Sequence, residues 1–232
     1  MPPKQAGSKR QRDSWEFDPA AVRSLSDLGL VRSPRDVQAL IDHLPYNTDD
    51  IARCPKDALA ARKVHCLDGG LLAAAALRRL GHEPLIVFLD ATEDDGHVLA
   101  IFKSADGKAF GAVGKSNFVG LRYREPVYRS LRELVMSYFE SYYNIFKKKT
   151  LRAFTQPLNL ARYDKLSWET AQASVDVIEQ RLYEMKETQL LTKAQERALV
   201  PVDERSYKAG MLGIDMAGVH GAAEKADKAK KQ

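Results

Sequence analysis

KVHCLDGGLLAAAALRRLGHEPLIVFLDATEDDGHVLAIFKSADGKAFGAVGKSN, residues 63–117, is the stretch from which the fold can be read. Its first third, Cys66 to Leu80, is rich in Ala and Leu, carries Arg78 and Arg79 where a last turn would fall, and is followed by Gly81. That is the pattern of a helix with a glycine just past its end. Gly69 and Gly70 cost helix propensity inside it, and they predict a sheet packed hard against the first turn. Leu85 to Leu89 (LIVFL) reads as a buried strand, and His97 to Phe102 as a second. Asp106-Gly107 marks a hairpin into a third, Lys108 to Val113. One helix followed by three strands with short connections predicts an antiparallel sheet with that helix against it, an α+β architecture.

Helical signals continue on both sides. Asp18-Pro19 and Ser33-Pro34 each pair a capping residue with a proline suited to a first helical turn. Val37, Leu40, Ile41 and Leu44 follow at helical spacing, and Pro45 ends the run. After Pro126 a helix is expected near Ser130 to Tyr143, then a strand or extended segment within 150–160. Ser167 is expected to cap a long helix through Met185, and Leu190 to Leu199 to form a short one. The expected organisation is a disordered basic tail over 1–14, one domain over 15–200, and a mostly disordered tail over 201–232.

The chain has 232 residues, 44% hydrophobic and 29% charged, with a formal net charge of +5. The first twelve residues contribute +4 and the last twelve +2, which leaves the body near −1. A nucleic-acid role is therefore expected only through the tails, if at all. No apolar run reaches the roughly 18–20 residues of a membrane span, and MPPKQAGSKRQRD lacks the apolar core of a secretory leader. Two cysteines, Cys54 and Cys66, do not make a disulfide framework, so a reducing cytoplasm is expected. The oligomeric state is not legible.

Cys66 opens its helix, where free N–H groups and the helix dipole favour thiolate over thiol. His97 heads a later strand, as a general base for such a thiol would. A buried inert thiol and a surface-loop histidine are the plainer alternatives. His65 beside the cysteine would line or tune the site, and Asp68 suits the first helical turn as an acid. Arg122 and Arg124 could receive an acidic group or form a solvated face. Closely spaced ligand pairs are missing, so no metal is expected.

HCLDGGLLAAAALRRLGHEPLIV followed by DDGHVLAIFKSADGKAF resembles the transglutaminase-like superfamily, a group of papain-like cysteine enzymes. In that family a cysteine-led helix precedes a strand led by the catalytic histidine. Here His97 stands 31 positions after Cys66, and the likeness covers about Val64 to Asn117. It implies a papain/transglutaminase-like core with added N- and C-terminal helices. It also implies attack by Cys66 on an amide or ester carbonyl through a thioester, with His97 moving the proton and with no cofactor. The products would be those of a peptidase, amidase, deamidase or acyl transferase acting on a peptide or protein amide. The family usually places an Asp at the end of the next strand to orient the histidine. Gly114 falls near that position, and Asn117, or more weakly Ser116, would take the role. The alternative is a catalytically inactive fold serving as a protein-interaction module.

Overall fold

A computed structural model of the chain describes residues 17–49 and 51–221. The basic stretch 1–14, Trp15 and the end of the chain from 222 lie outside the described residues.

Capping chemistry sets the N-terminal elements. Asp18 accepts from Ala20 N–H at the start of a 3₁₀ turn, Pro19–Ala21. Ser33 accepts from Asp36 N–H at the start of α1, Pro34–His43. A second helix, α2 (Pro55–Ala61), ends on Arg62 in the left-handed conformation. The cysteine-led helix α3 follows as Cys66–Arg79. It is buried on every side from Leu67 to Leu77, packed between the sheet and helices α1 and α2. This explains its alanine run, because a helix enclosed on all faces needs small residues for close approach.

Among the described residues the sheet has seven antiparallel strands. β1 (Leu85–Ala91), β2 (His97–Lys103) and β3 (Phe110–Val113) run in succession, joined on one side by β4 (Arg124–Tyr128). On the other side β1 pairs with β5 (Leu151–Thr155) through its second half and with β6 (Leu158–Asn159) through its first. β7 (Glu187–Gln189) adds to β5. Side chains alternate between the faces. Ile86, Phe88, Val98, Ala100 and Phe102 join the core containing α3, together with Val175, Ile178 and Leu182 of α5 (Ala173–Glu184). Val87, Leu89, Leu99 and Ile101 face a second core with Leu134 and Val135 of α4 (Leu131–Met136), Tyr138 and Tyr142. Helical layers therefore cover both faces, an α+β arrangement.

Several expectations shift. Pro126 itself lies in an unexpected strand, β4, at the edge of the sheet, where a missing N–H costs the ladder nothing. Ser130 does cap α4, but that helix stops at Met136 and resumes only as a 3₁₀ turn, Phe139–Ser141. Ser167 does not start the long helix. It sits at φ 52° closing a 3₁₀ run, Leu160–Leu166, while the buried Trp168 donates to Asp164 and α5 begins only at Ala173. The segment 190–199 supplies α6 (Lys193–Ala198), with a Thr192/Gln195 capping box.

The expectation of mostly disordered chain beyond 200 is corrected for 201–221. Asp203 caps α7 (Glu204–Gly210), and a 3₁₀ turn, Met216–Gly218, follows. The anchors are aromatic: Tyr143 donates to Ser206 O at 3.0 Å, and Tyr207 donates to Ile145 O at 3.2 Å. The glycine- and alanine-rich composition hid them, because half of each contact lies far upstream.

Candidate active site

The first turn of α3 is fixed by its own residues. His65 Nδ1 accepts the Leu67 N–H at 3.1 Å, and Asp68 Oδ1 accepts those of His65 at 2.5 Å and Gly69 at 3.0 Å. This is a capping box with histidine in the usual serine position. Nδ1 also lies 3.3 Å from Asp68 Oδ1. Burial, aided by the Arg53 guanidinium, holds the His65 imidazole below its ordinary range, so the contact is not an ion pair. Asp68 is itself fully buried, and burial pushes its carboxyl up to about 7 despite the N–H groups it receives.

The paired glycines bring this turn onto its neighbours. A Cβ on Gly70 would stand 2.7 Å from Val98 Cγ1, and one on Gly69 would stand 2.7 Å from Lys115 Cβ. The segment after β3 is fastened in turn to α1. Gln38 exchanges two hydrogen bonds with the Gly114 backbone, at 3.0 and 3.1 Å. Lys115 Nζ donates to Ile41 O at 3.1 Å and to Leu44 O, closing the C-terminal end of α1.

Cys66 is thereby set over the beginning of β2. Its sulfur lies 3.8 Å from Gly96 O and faces the N–H groups of Val98 and Leu67. The thiol is walled in on most sides but keeps part of its surface open to a cleft of about 430 Å³. Burial, then Asp68 and Asp95, push it up to about 12, against the pull of the two N–H groups. The thiolate expected from the helix start is therefore not the resting form.

His97 lines the same cleft and is 3% exposed. Its Nε2 is 2.8 Å from Leu121 O. A carbonyl only accepts, so Nε2 carries the proton and Nδ1 the lone pair. Burial brings the imidazole down to about 4, and it is neutral. Among the described residues no hydrogen bond joins the Cys66 sulfur to this ring. Gly114 explains the missing acid: a Cβ there would lie 2.7 Å from Leu99 Cδ2, 3.2 Å from His97 Nε2 and 3.3 Å from Leu121 O. A peptide carbonyl fills the space where an orienting carboxylate would sit.

The other expected residues separate. Asn117 does not reach His97. Its Nδ2 donates to Asp215 O (2.7 Å) and Gly218 O (3.3 Å), and its Oδ1 accepts from Asp215 N–H (2.8 Å). Ser116 and His65 line the cleft, although Ser116 Oγ is engaged by the Phe118 N–H. Asp68 lies beneath the helix turn, outside the cleft lining. Arg122 pairs with Asp42. Arg124 donates to Gly120 O and Ser137 and lies 4.0 Å over the Tyr138 ring. Both arginines are spent on packing, and neither faces the cleft. Cys54 is buried, its N–H donating to Gln172.

No family model matches the chain, and no curated protein matches it either. The site therefore stands on its own geometry. That geometry includes cleft residues that local reading did not single out: Tyr46, Glu179, Tyr183 and the segment Ala217 to His220. Asp95 Oδ1 lies 3.2 Å from His220 Nδ1, and Asp94 accepts from Thr150. Neither acid orients His97. Among the described residues, no group of three or more His, Cys, Asp or Glu is arranged to hold a metal ion, and no helix is long and apolar enough to cross a membrane.

Proposed function

We propose that this chain is a transglutaminase-like thiol enzyme, working in a reducing cytoplasm on an amide or ester of a peptide. The observation that carries this is the meeting, in one cleft, of a helix-start thiol and a neutral imidazole whose tautomer is fixed with Nδ1 basic. In the reaction, the Cys66 proton passes to His97 Nδ1 as the sulfur bonds to the carbonyl carbon. The Cys66 backbone N–H at the start of α3 receives the developing oxyanion. The imidazolium returns its proton to the leaving amine or alkoxide. The thioester then passes to water or to an amine, regenerating the thiol. Leu121 O holds the ring but stabilises imidazolium less than a carboxylate would. The resting pair is thus neutral, and proton transfer accompanies attack.

The test is acylation by p-nitrophenyl acetate read by intact mass and peptide mapping. The expected result is a hydroxylamine-sensitive acetyl group on Cys66, lost in Cys66→Ala and slowed at least tenfold in His97→Gln, which keeps a donor for Leu121 O. Acylation of His97→Gln at the wild-type rate would sink the proposal. The protonated thiol favours a second reading, a peptide-binding module without turnover; in that case Cys66 acylates no faster than Cys54.

A further inference from the structure

Part of the wall of the cleft above Cys66 is supplied by a segment near the end of the described chain. Residues 202–221 return from the far side of the second core, joined to it by the Val202 N–H on Lys147 O, at 2.9 Å, and by the Tyr143 and Tyr207 hydroxyls. They then lay Ala217, Gly218, Val219 and His220 along the cleft wall. Gly218 sits where a Cβ would be 2.7 Å from the Tyr46 ring and 3.3 Å from Thr48 Cγ2. Val219 is buried, with φ −114° and ψ 122°, as in an extended peptide. His220 meets Asp95.

The contacts of Asn117 are distinctive because all of them are to main chain. One side-chain amide engages the N–H and C=O of Asp215 and the C=O of Gly218. This pairing reads no side chain and would hold any backbone presented in the same path. The side-chain demands come from Tyr46 and Thr48, which leave no room for a side chain at position 218. The bulk of the cleft is otherwise large for what fills it, since a strap of four small or medium residues leaves about 430 Å³ open beside the thiol.

We propose that Asn117 is a main-chain clamp for peptide ligands and that residues Asp215 to His220 are its built-in occupant, competing with such ligands for the cleft over Cys66. The competition rests on the thiol-enzyme reading only for its consequence, control of access to the sulfur; the clamp itself requires no chemistry. A tethered segment has an effective concentration on the order of millimolar. An outside peptide binding at ~0.1 mM would therefore be weakened about tenfold by the resident arm.

The experiment uses the full chain, wild type and Gly218→Val, with Val219→Asp as a second arm-displacing variant. The probe is a fluorescein-labelled, end-blocked peptide of residues 211–221, followed by anisotropy, with circular dichroism confirming the fold of each chain. Both displaced-arm chains are expected to bind the peptide at least tenfold more tightly than wild type. They are also expected to alkylate Cys66 faster, while Cys54 stays protected. Asn117→Asp, added to Gly218→Val, turns two donor contacts into repulsions and is expected to abolish binding. Equal peptide affinity for wild type and both displaced-arm chains would overturn the proposal, as would tight binding that survives Asn117→Asp. Adding Cys66→Ala to Gly218→Val separates the two readings. Binding that persists there while acylation of the native thiol fails leaves the clamp standing and removes the enzyme.

Discussion

Replacing Gly70 with Ala tests how the sequence places Cys66. Alanine is the better helix former, by about 1 kcal/mol at an interior position. Its Cβ, however, would lie 2.7 Å from Val98 Cγ1, where ordinary carbon contacts sit near ~3.5–4.0 Å. α3 and β2 must therefore separate by about 1 Å, or Val98 must rotate. Rotation is closed off: Val98 is buried, β-branched and paired with Phe88 in the centre of the sheet. Overpacking of this kind costs about 1–3 kcal/mol, and a stiff obstacle puts it in the upper half of that range. The net expectation is a loss of about 1–2 kcal/mol after the helix gain is subtracted. Val98→Ala alone should cost about 2 kcal/mol through lost burial and a small cavity. In the double variant the new methyl enters the vacated space, so the two losses should fail to add by at least about 1 kcal/mol. Urea unfolding of the four chains measures this. A Gly70→Ala chain more stable than wild type, or additive losses, would refute the close approach. The same shift moves the Val98 N–H away from the Cys66 sulfur, so the alkylation rate of Cys66 should change in Gly70→Ala and recover in the double variant.

Asp68→Asn is expected to tilt stability against pH. The folded carboxyl titrates at about 7 against an ordinary 3.8, so its folded form holds the proton more tightly. Wild type should then lose up to about 4 kcal/mol relative to the variant as pH rises from 4 through 7, and a flat difference across that window would be the contrary result. His97→Gln should tilt the opposite way. The imidazole titrates at about 4 against an ordinary 6.5, so wild type loses stability as pH falls from 6.5 to 4, by about 3 kcal/mol, and the variant does not. Lys115→Met leaves the Leu44 carbonyl without its Lys115 donor and the Ile41 carbonyl with only the Leu44 N–H, and should cost about 1–3 kcal/mol in urea unfolding. An unchanged midpoint would mean that water replaces the ammonium group.

The legible part of the fold was local. The helix from Cys66, the strands after it and the Asp106-Gly107 turn follow from periodicity and turn chemistry, and Gly69 and Gly70 announced the close packing that GLLAAAAL alone did not. What escaped depended on partners distant in sequence. β4 was not anticipated, because its proline argues against a strand until the edge position is known. Ser167 reads as a cap until the Asp164–Trp168 contact bends the chain there. At the site, the residue types of Cys66 and His97 were legible, but the orienting group was not, because it is a backbone carbonyl and has no letter in the sequence. Asn117 was singled out for its amide chemistry, and that amide is used, but on the arm at 215–218, about a hundred residues away.

The state of the thiol follows from a comparison of magnitudes. A helix N-terminus favours a nearby anion by about 0.3–1 kcal/mol, and up to ~2 kcal/mol when partly buried. Raising a thiol from 9 to about 12 corresponds to about 4 kcal/mol in the other direction, and burial is its largest cause. The helix start therefore cannot win while the cleft is closed, whatever the sequence suggests. Asp68 and Asp95 are part of that deficit, and Asp68 is held in place because it caps the very turn that presents the sulfur. Only the burial is adjustable, and the cleft onto which the sulfur opens is lined in part by Ala217 to His220. Lifting that segment hydrates the sulfur without disturbing the capping box, the glycine contacts or the Leu121 bond to His97. In the proposed competition, the same movement that admits a peptide would widen the access of water to the sulfur and make the nucleophile easier to ionise.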